Sequence, residues 1–160
     1  MNQDTNKDSL AVPKQSIYAY TDGCNSGAID NNTFVGSGVW LSERPSTRVP
    51  SHTMSFKSPN DGTNNIKGEI YAAMAAIKWA WDNNYKILVV VTDLEGIMHW
   101  GNGKWKATKP ITAEFKQSVE SYKHRGMDIR FIWTKGHLGA GRHAYGNNQA
   151  DKLAAQALGK

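Results

Sequence analysis

The segment Lys86–Thr92 (KILVVVT) is an unbroken apolar, β-branched run that stops at an acid, Asp93. A strand with one face in water alternates apolar and polar residues. A strand that is apolar throughout must be covered on both faces, as parallel strands between helices are. This segment alone therefore asks for a sheet with helices above and below it.

The rest of the chain supplies the pieces. Residues 68–83 (GEIYAAMAAIKWAWDN) place Ile70, Met74, Ile77 and Trp81 at helical spacing among alanines, which predicts the longest helix. Shorter helices are expected over Glu95–Trp100, around Thr112–His124 and near Asn148–Leu158. Strands are expected at Ser16–Thr21, closed by the turn-like pair Asp22-Gly23, and at Phe34–Leu41, 53–57 and Asp128–Thr134. Gly36 and Gly38 inside the second of these imply a close backbone approach or a bulge. Three consecutive strands predict an antiparallel meander, and strand–helix–strand units predict parallel crossovers. The expected fold is α/β: a five-stranded mixed sheet, a three-stranded antiparallel meander plus two parallel strands, with helices on both faces. Residues 1–15 are polar and aperiodic and are expected to form a flexible tail, leaving 16–160 as one domain.

Composition narrows the setting. A chain of 160 residues closes a core without staples, and its single cysteine, Cys24, excludes a disulfide framework or a cysteine zinc site. No apolar run approaches the ~18 residues of a membrane span, and the first 15 residues carry no secretory signal. A cytoplasmic monomer away from membranes is the expectation. The net charge of +5 is uneven: residues 1–97 hold 8 basic and 10 acidic side chains, residues 98–160 hold 11 and 4. A basic half points to a polyanionic partner.

On this sketch Asp22 and Asp93 lie at the carboxyl ends of strands, where α/β sheets build their sites. Glu69 and Asp151 lie in the expected first turns of helices. Each acid has an ordinary explanation: a turn pair for Asp22, a helix cap for Asp93, favourable helix dipoles for Glu69 and Asp151. If the first strand neighbours the buried one, however, Asp22 and Asp93 are only ~5 Å apart. Carboxylates gathered on one rim repel and raise each other's pKa, a costly arrangement unless cations sit among them. Hard oxygen donors suit Mg²⁺ or Mn²⁺, and two such ions ~3.5–4 Å apart stabilise the attacking and leaving oxygens of a displacement at phosphorus. An acidic site beside a basic surface is what a nuclease requires.

The segments YAYTDG (18–23), TNN with GEIYAAMAAI (63–65, 68–77), VVVTDLEG (89–96), KGH (135–137) and GNNQADKLA (146–154) follow one another in the order of a known family. By these motifs the chain resembles ribonuclease H of the type 1 class. The resemblance implies a ribonuclease H-like fold and endonucleolytic hydrolysis of the RNA strand of RNA–DNA hybrids, leaving 5′-phosphate and 3′-hydroxyl ends. It implies Asp22, Glu69, Asp93 and Asp151 as carboxylates for two Mg²⁺ ions, with Mn²⁺ as a substitute. His137 matches the loop histidine that assists product release or water activation. Backbone amides of Gly23, Cys24 and Asn25, and Asn64 and Asn65, match the contacts to 2′-hydroxyls in the hybrid's minor groove. In the segment 99–109 (HWGNGKWKATK), Trp100, Lys104, Trp105, Lys106 and Lys109 match the region that grips the DNA strand, though Trp100 equally suits a core anchor.

The chain also departs from the family. Asn148 stands where many members carry a glutamate, and the loop after KGH is longer, adding Arg142 and His143. Cys24 stands where serine or alanine is also common, and no separate hybrid-binding domain is expected. Trp40, Trp79, Trp81 and Trp133 are assigned to packing. Two other readings stay open: a related nuclease of this fold acting on another nucleic acid, and a non-catalytic hybrid-binding module.

Overall fold

The computed structural model describes residues 14–25, 33–60, 65–136 and 140–160. Five strands form one sheet: β1 (Lys14–Asn25), β2 (Phe34–Ser42), β3 (His52–Pro59), β4 (Tyr85–Thr92) and β5 (Asp128–Trp133), in the order β3-β2-β1-β4-β5. The pairs β1–β2 and β2–β3 are antiparallel, and β1–β4 and β4–β5 are parallel. The described helices are α1 (Asn65–Asp82), α2 (Glu95–Gly101), α3 (Pro110–His124) and α4 (Ala144–Ala157). The fold expected from the sequence is the fold found.

The two faces follow from alternation along the central strands. Ile17 and Ala19 of β1 with Leu88 and Val90 of β4 face one core, which Ile70, Ala73 and Ile77 of α1 and Phe115 and Val119 of α3 complete. Tyr20 of β1 with Val89 and Val91 of β4 face the other, closed by Ala150 of α4. β4 is thus apolar throughout because it is the wall between two cores. Each fully buried Val, Leu or Ile there contributes roughly 1.5–3 kcal/mol. A charged replacement of Val90 would unfold the domain.

Several boundaries differ from the sequence expectation. Lys14 already pairs with Tyr85, so Lys14 and Gln15 belong to β1; residues 1–13 lie outside the described residues. The pair Asp22-Gly23 is not a turn, since both residues are in register with β2, Asp22 opposite Gly38 and Gly23 opposite Ser37. The reason is the partner strand: the parallel ladder with β4 stops at Thr21 opposite Thr92, while the antiparallel ladder with β2 runs on to Asn25.

α1 and α4 also begin earlier than expected. Glu69 is the fifth residue of its helix and Asp151 the eighth, so neither is in a first turn. That removes the helix dipole as their explanation. The early starts have supports distant in sequence. Lys67 Nζ donates to Pro59 O at the end of β3, and the Gly146 amide in the first turn of α4 donates to Ser46 Oγ.

Candidate active site

The carboxyl ends of β1 and β4 build the centre. Both Asp22 and Asp93 follow the alternation of the α4-facing side chains, and Asp93 is the first residue beyond β4. Glu69 comes from α1 on the opposite face. It reaches the same place because α1 lies almost on the backbone of the β1–β2 pair. A Cβ at Gly68 would be 2.6 Å from Gly36 O and 3.1 Å from Gly23 Cα. This close approach brings Glu69 Oε2 to 2.8 Å from the Gly23 amide, which also donates to Asp22 Oδ1 at 2.9 Å. Thr92 Oγ1 donates to Glu69 Oε1 at 3.5 Å and accepts from Leu94 N at 3.1 Å, tying the end of β4 to the same carboxylate.

One ligand oxygen from each of Asp22, Glu69 and Asp93 lies within 4.8 Å of the other two. Asp151, half-buried on α4, is not one of these three, and its side chain adds to the rise in the Asp22 pKa. α4 is brought down by the second close approach foreseen in the sequence. Cβ atoms at Gly36 and Gly38 would collide with the carbonyl oxygens of Ala154 and Ala150, and β2 runs past them in unbroken register, with no bulge.

The electrostatics are those of acids held together in the dark. Asp22 is 5% exposed and Glu69 4%. Burial pushes Asp22 up to about 7, with the Asp93 charge and the Asp151 side chain adding to the rise and the Glu69 and Gly23 hydrogen bonds opposing it. Burial also lifts Glu69 well above the carboxylate range, followed by the contact with Asp22 and the charges of Asp22 and Asp93. The two titrate as a pair. Holding them ionised at neutral pH requires positive charge among them, and an all-oxygen donor set fits a hard divalent cation.

Asp93 is fixed from two sides that the sequence reading missed. Trp133, expected in packing, is 45% exposed and its indole N–H donates to Asp93 O at 3.2 Å. Gly136 lies so near that a Cβ there would be 2.9 Å from Asp93 Oδ2. The available signal was register: Thr92 pairs with Trp133, so the residues after both strands emerge side by side.

The expected substrate residues fall out unevenly. The Gly23 amide, expected to meet a 2′-hydroxyl, is instead engaged by the Asp22 and Glu69 carboxylates. Cys24 and Asn25 continue β1 next to it, where Lys160 Nζ donates to Asn25 O at 2.8 Å and lies 3.6 Å from Cys24 Sγ. His137 and Asn64 lie outside the described residues, as does the side chain of Asn65, which opens α1. Trp100 packs against the core and over Gly96, whereas Trp105 is 44% exposed. Trp105 meets Trp100 edge-on at 6.0 Å and His99 at 4.5 Å, with Lys104 and Lys106 exposed on either side. Of the two loop residues that mark the departure from the family, Arg142 is exposed, but His143 is held at 2.8 Å by Tyr20 Oη.

Known proteins are similar to this chain. The family model described as RNase H matches residues 14–159. The chain is 31% identical over 163 residues to Ribonuclease H1 of Mus musculus, covering 94% of this chain and 53% of that protein, so it spans about half the length of this mammalian relative. It is 34% identical over 150 residues to Ribonuclease H of Chromobacterium violaceum, covering 86% of this chain and 91% of that one. Among solved structures, LC11-RNase H1 in complex with an RNA/DNA hybrid has a similar fold, with a TM-score of 0.66 at 21% identity over 89% of this chain and 99% of that one. A mixed sheet ordered β3-β2-β1-β4-β5, with acids converging at the ends of its two central strands, thus coincides with a family match over almost all of the chain: it belongs to the ribonuclease H family.

Proposed function

We propose that this protein is an endonuclease that hydrolyses the RNA strand of RNA–DNA hybrids, leaving 5′-phosphate and 3′-hydroxyl ends. The catalytic unit in this reading is residues 16–160 together with the start of β1. The observation that carries it is the gathering of Asp22, Glu69 and Asp93 oxygens within 4.8 Å, two of the three residues buried. The names of the Mus musculus and Chromobacterium violaceum relatives, and the hybrid bound to LC11-RNase H1, support the substrate.

The ribonuclease H family is metal-dependent, and we assign Asp22, Glu69, Asp93 and Asp151 as the residues that hold Mg²⁺, or Mn²⁺ in its place. When bound, two such ions supply activation of the attacking water and neutralisation of the leaving 3′-oxygen. The chain's own groups do the positioning. Gly23 N–H and Thr92 Oγ1 orient Glu69, and Trp133 holds the backbone of Asp93. Cys24 and Asn25 offer backbone contacts to the RNA strand beside Asp22, and Asn64 and Asn65 are assigned to the same strand of the hybrid. Trp105, with Lys104 and Lys106, takes the DNA strand by stacking and charge, and Trp100 supports Trp105 from the core side. His137 serves product release or water activation.

We read the protein as a cytoplasmic monomer. It has one cysteine, and no helix among the described residues is long and apolar enough to cross a membrane. Light scattering of the purified protein checks the monomer.

The direct test is cleavage of an end-labelled hybrid with Mg²⁺, set against duplex RNA and duplex DNA. The hybrid should be cut in its RNA strand and the other duplexes spared. Asp93→Asn should reduce cutting at least ~10²-fold, as loss of a group acting at the reacting centre does. An inert wild type, or an Asp93→Asn variant that cuts equally well, would reject the assignment.

A further inference from the structure

The long loop between β5 and α4 ends in a set of contacts that the hydrolytic reading does not use. Tyr20 is fully buried, two residues before Asp22 on the same strand. Its hydroxyl lies 2.8 Å from His143 Nδ1, at the N-cap of α4, and accepts from Ser46 N at 2.9 Å. Ser46 belongs to the connection between β2 and β3 and sits at φ 52, a left-handed conformation that serine adopts only when surrounding contacts hold it there. The same residue's Oγ accepts from Gly146 N at 3.1 Å, and His143 itself provides no side-chain cap for α4. A Cβ at Gly146 would be 2.5 Å from the Tyr20 ring, so the first turn of α4 lies directly on that ring. Tyr18 and Tyr20 rings flank the imidazole at 5.9 and 5.7 Å.

The donor pattern is consistent. Burial, with Arg142 beside it, holds His143 below its usual value, which favours the neutral ring. The Ser46 amide donates to the hydroxyl oxygen, and with the neutral ring carrying its proton on Nε2 the Tyr20 O–H donates to His143 Nδ1. One hydroxyl therefore joins three segments: β1, the β2–β3 connection and the start of α4.

We propose that Tyr20, His143 and Ser46 form a latch that sets the position of α4, and with it Asp151, against the acidic cluster. All three are positioning residues, and the proposal rests on the hydrolytic reading of that cluster. Asp151 lies eight residues beyond His143, about 12 Å along a rigid helix. α4 is seated along its length by Gly36 and Gly38, and at its start the latch acts beside Tyr145, which meets the Trp40 ring edge-on at 5.7 Å and carries Arg48 over its ring at 4.3 Å. A shift of about 1 Å in a carboxylate at a reacting centre costs up to ~10²-fold in rate. The latch thus affects turnover without touching substrate.

The experiment compares His143→Leu, which removes the acceptor, with His143→Asn, whose Oδ1 falls near the place of Nδ1 and keeps it. Hydrolysis of the hybrid, the Mn²⁺ concentration for half-maximal rate, thermal unfolding, and hydrogen exchange at the Ser46 and Gly146 amides are read for each. His143→Leu should lower kcat about tenfold with KM within about threefold, and should raise the Mn²⁺ requirement. Its Ser46 and Gly146 amides should exchange at least ~10-fold faster. His143→Asn should return all of these to within about threefold of wild type. Equal kcat in wild type and His143→Leu, or a His143→Asn as impaired as His143→Leu, overturns the latch. So does a kcat loss that vanishes when each variant is assayed at the same interval below its own Tm. Should the wild type cleave no hybrid, the hydrolytic reading falls. The latch is then judged on exchange alone, and unchanged protection at Gly146 in His143→Leu rejects it.

Discussion

Gly23 N donates to Glu69 Oε2 at 2.8 Å and to Asp22 Oδ1 at 2.9 Å, so a single amide holds two buried carboxylates side by side. One comes from the helix on one face of the sheet, the other from the strand beneath it. The protein assembles like charges where water is scarce, and stability and binding must both register that.

Without metal, the pair makes stability fall as pH rises. Asp22 titrates near 7 against a usual 3.8, and Glu69 is raised as well. The folded protein therefore keeps protons that the unfolded chain has released. The contribution is full below the unfolded value and is lost as pH rises from about 4 through about 7. Urea unfolding in EDTA should give a lower stability at pH 8 than at pH 5.5, and Asp22→Asn should reduce that difference without abolishing it, because burial alone keeps Glu69 raised. At pH 8 the metal-free Asp22→Asn protein should be more stable than wild type by about 1–3 kcal/mol. A stability that climbs from pH 5.5 to 8 in EDTA, unchanged by the substitution, would contradict this.

Gly68→Ala tests the close approach that brings Glu69 in. The added methyl meets Gly36 O at 2.6 Å, backbone that cannot swing away. α1 must lift from the β1–β2 pair, at a cost of about 1–3 kcal/mol in denaturant unfolding. Hydrolysis should fall by more than the stability loss explains, because Glu69 leaves the Gly23 amide. A variant with wild-type unfolding and wild-type rate would show that the helix has room.

Much of this was legible in the chain, and what was not has a common cause. The apolar run 86–92 announced a strand between two cores, and the glycines 36 and 38 announced a close approach or a bulge, of which the structure shows the close approach, to α4. Asp22-Gly23 reads locally as a turn. It is extended only because β2 outlasts β4 as a partner, which no nearby residue encodes. α4 starts early because Ser46, a hundred positions away, caps it. Trp133 looks like core until β5 is known to be the edge strand beside Asp93. Asp22, Glu69, Asp93 and Asp151 were named from their strand and helix contexts, but the order in which elements pack decides what surrounds them.

Trp133→Phe should separate a ring from a hydrogen bond. It keeps an apolar ring and removes the donor to Asp93 O, in a residue that is 45% exposed. Unfolding should change by less than about 1 kcal/mol. The Mn²⁺ requirement for hydrolysis should rise several-fold. Titration of wild type with Mn²⁺ should quench tryptophan emission, and the quench should be largely lost in Trp133→Phe. An unchanged Mn²⁺ dependence would leave Trp133 as surface only.

The basic segment predicts its own signature. Replacing Lys104 and Lys106 by Gln should raise KM for the hybrid and lower the slope of log affinity against log salt by about 2, with kcat retained. Trp105→Ala should weaken binding by about 1–3 kcal/mol with little change in salt slope, since stacking carries no counterion release. Identical salt slopes in all variants would move the DNA-strand contact elsewhere.

The central claim is that four carboxylates distant in sequence exist together in order to hold divalent ions. A crystal soaked in Mn²⁺ and measured at the manganese absorption edge tests it most directly. Anomalous peaks should lie among Asp22, Glu69 and Asp93. Absence of any peak there at saturating Mn²⁺, or peaks only at other surface acids, would contradict the account.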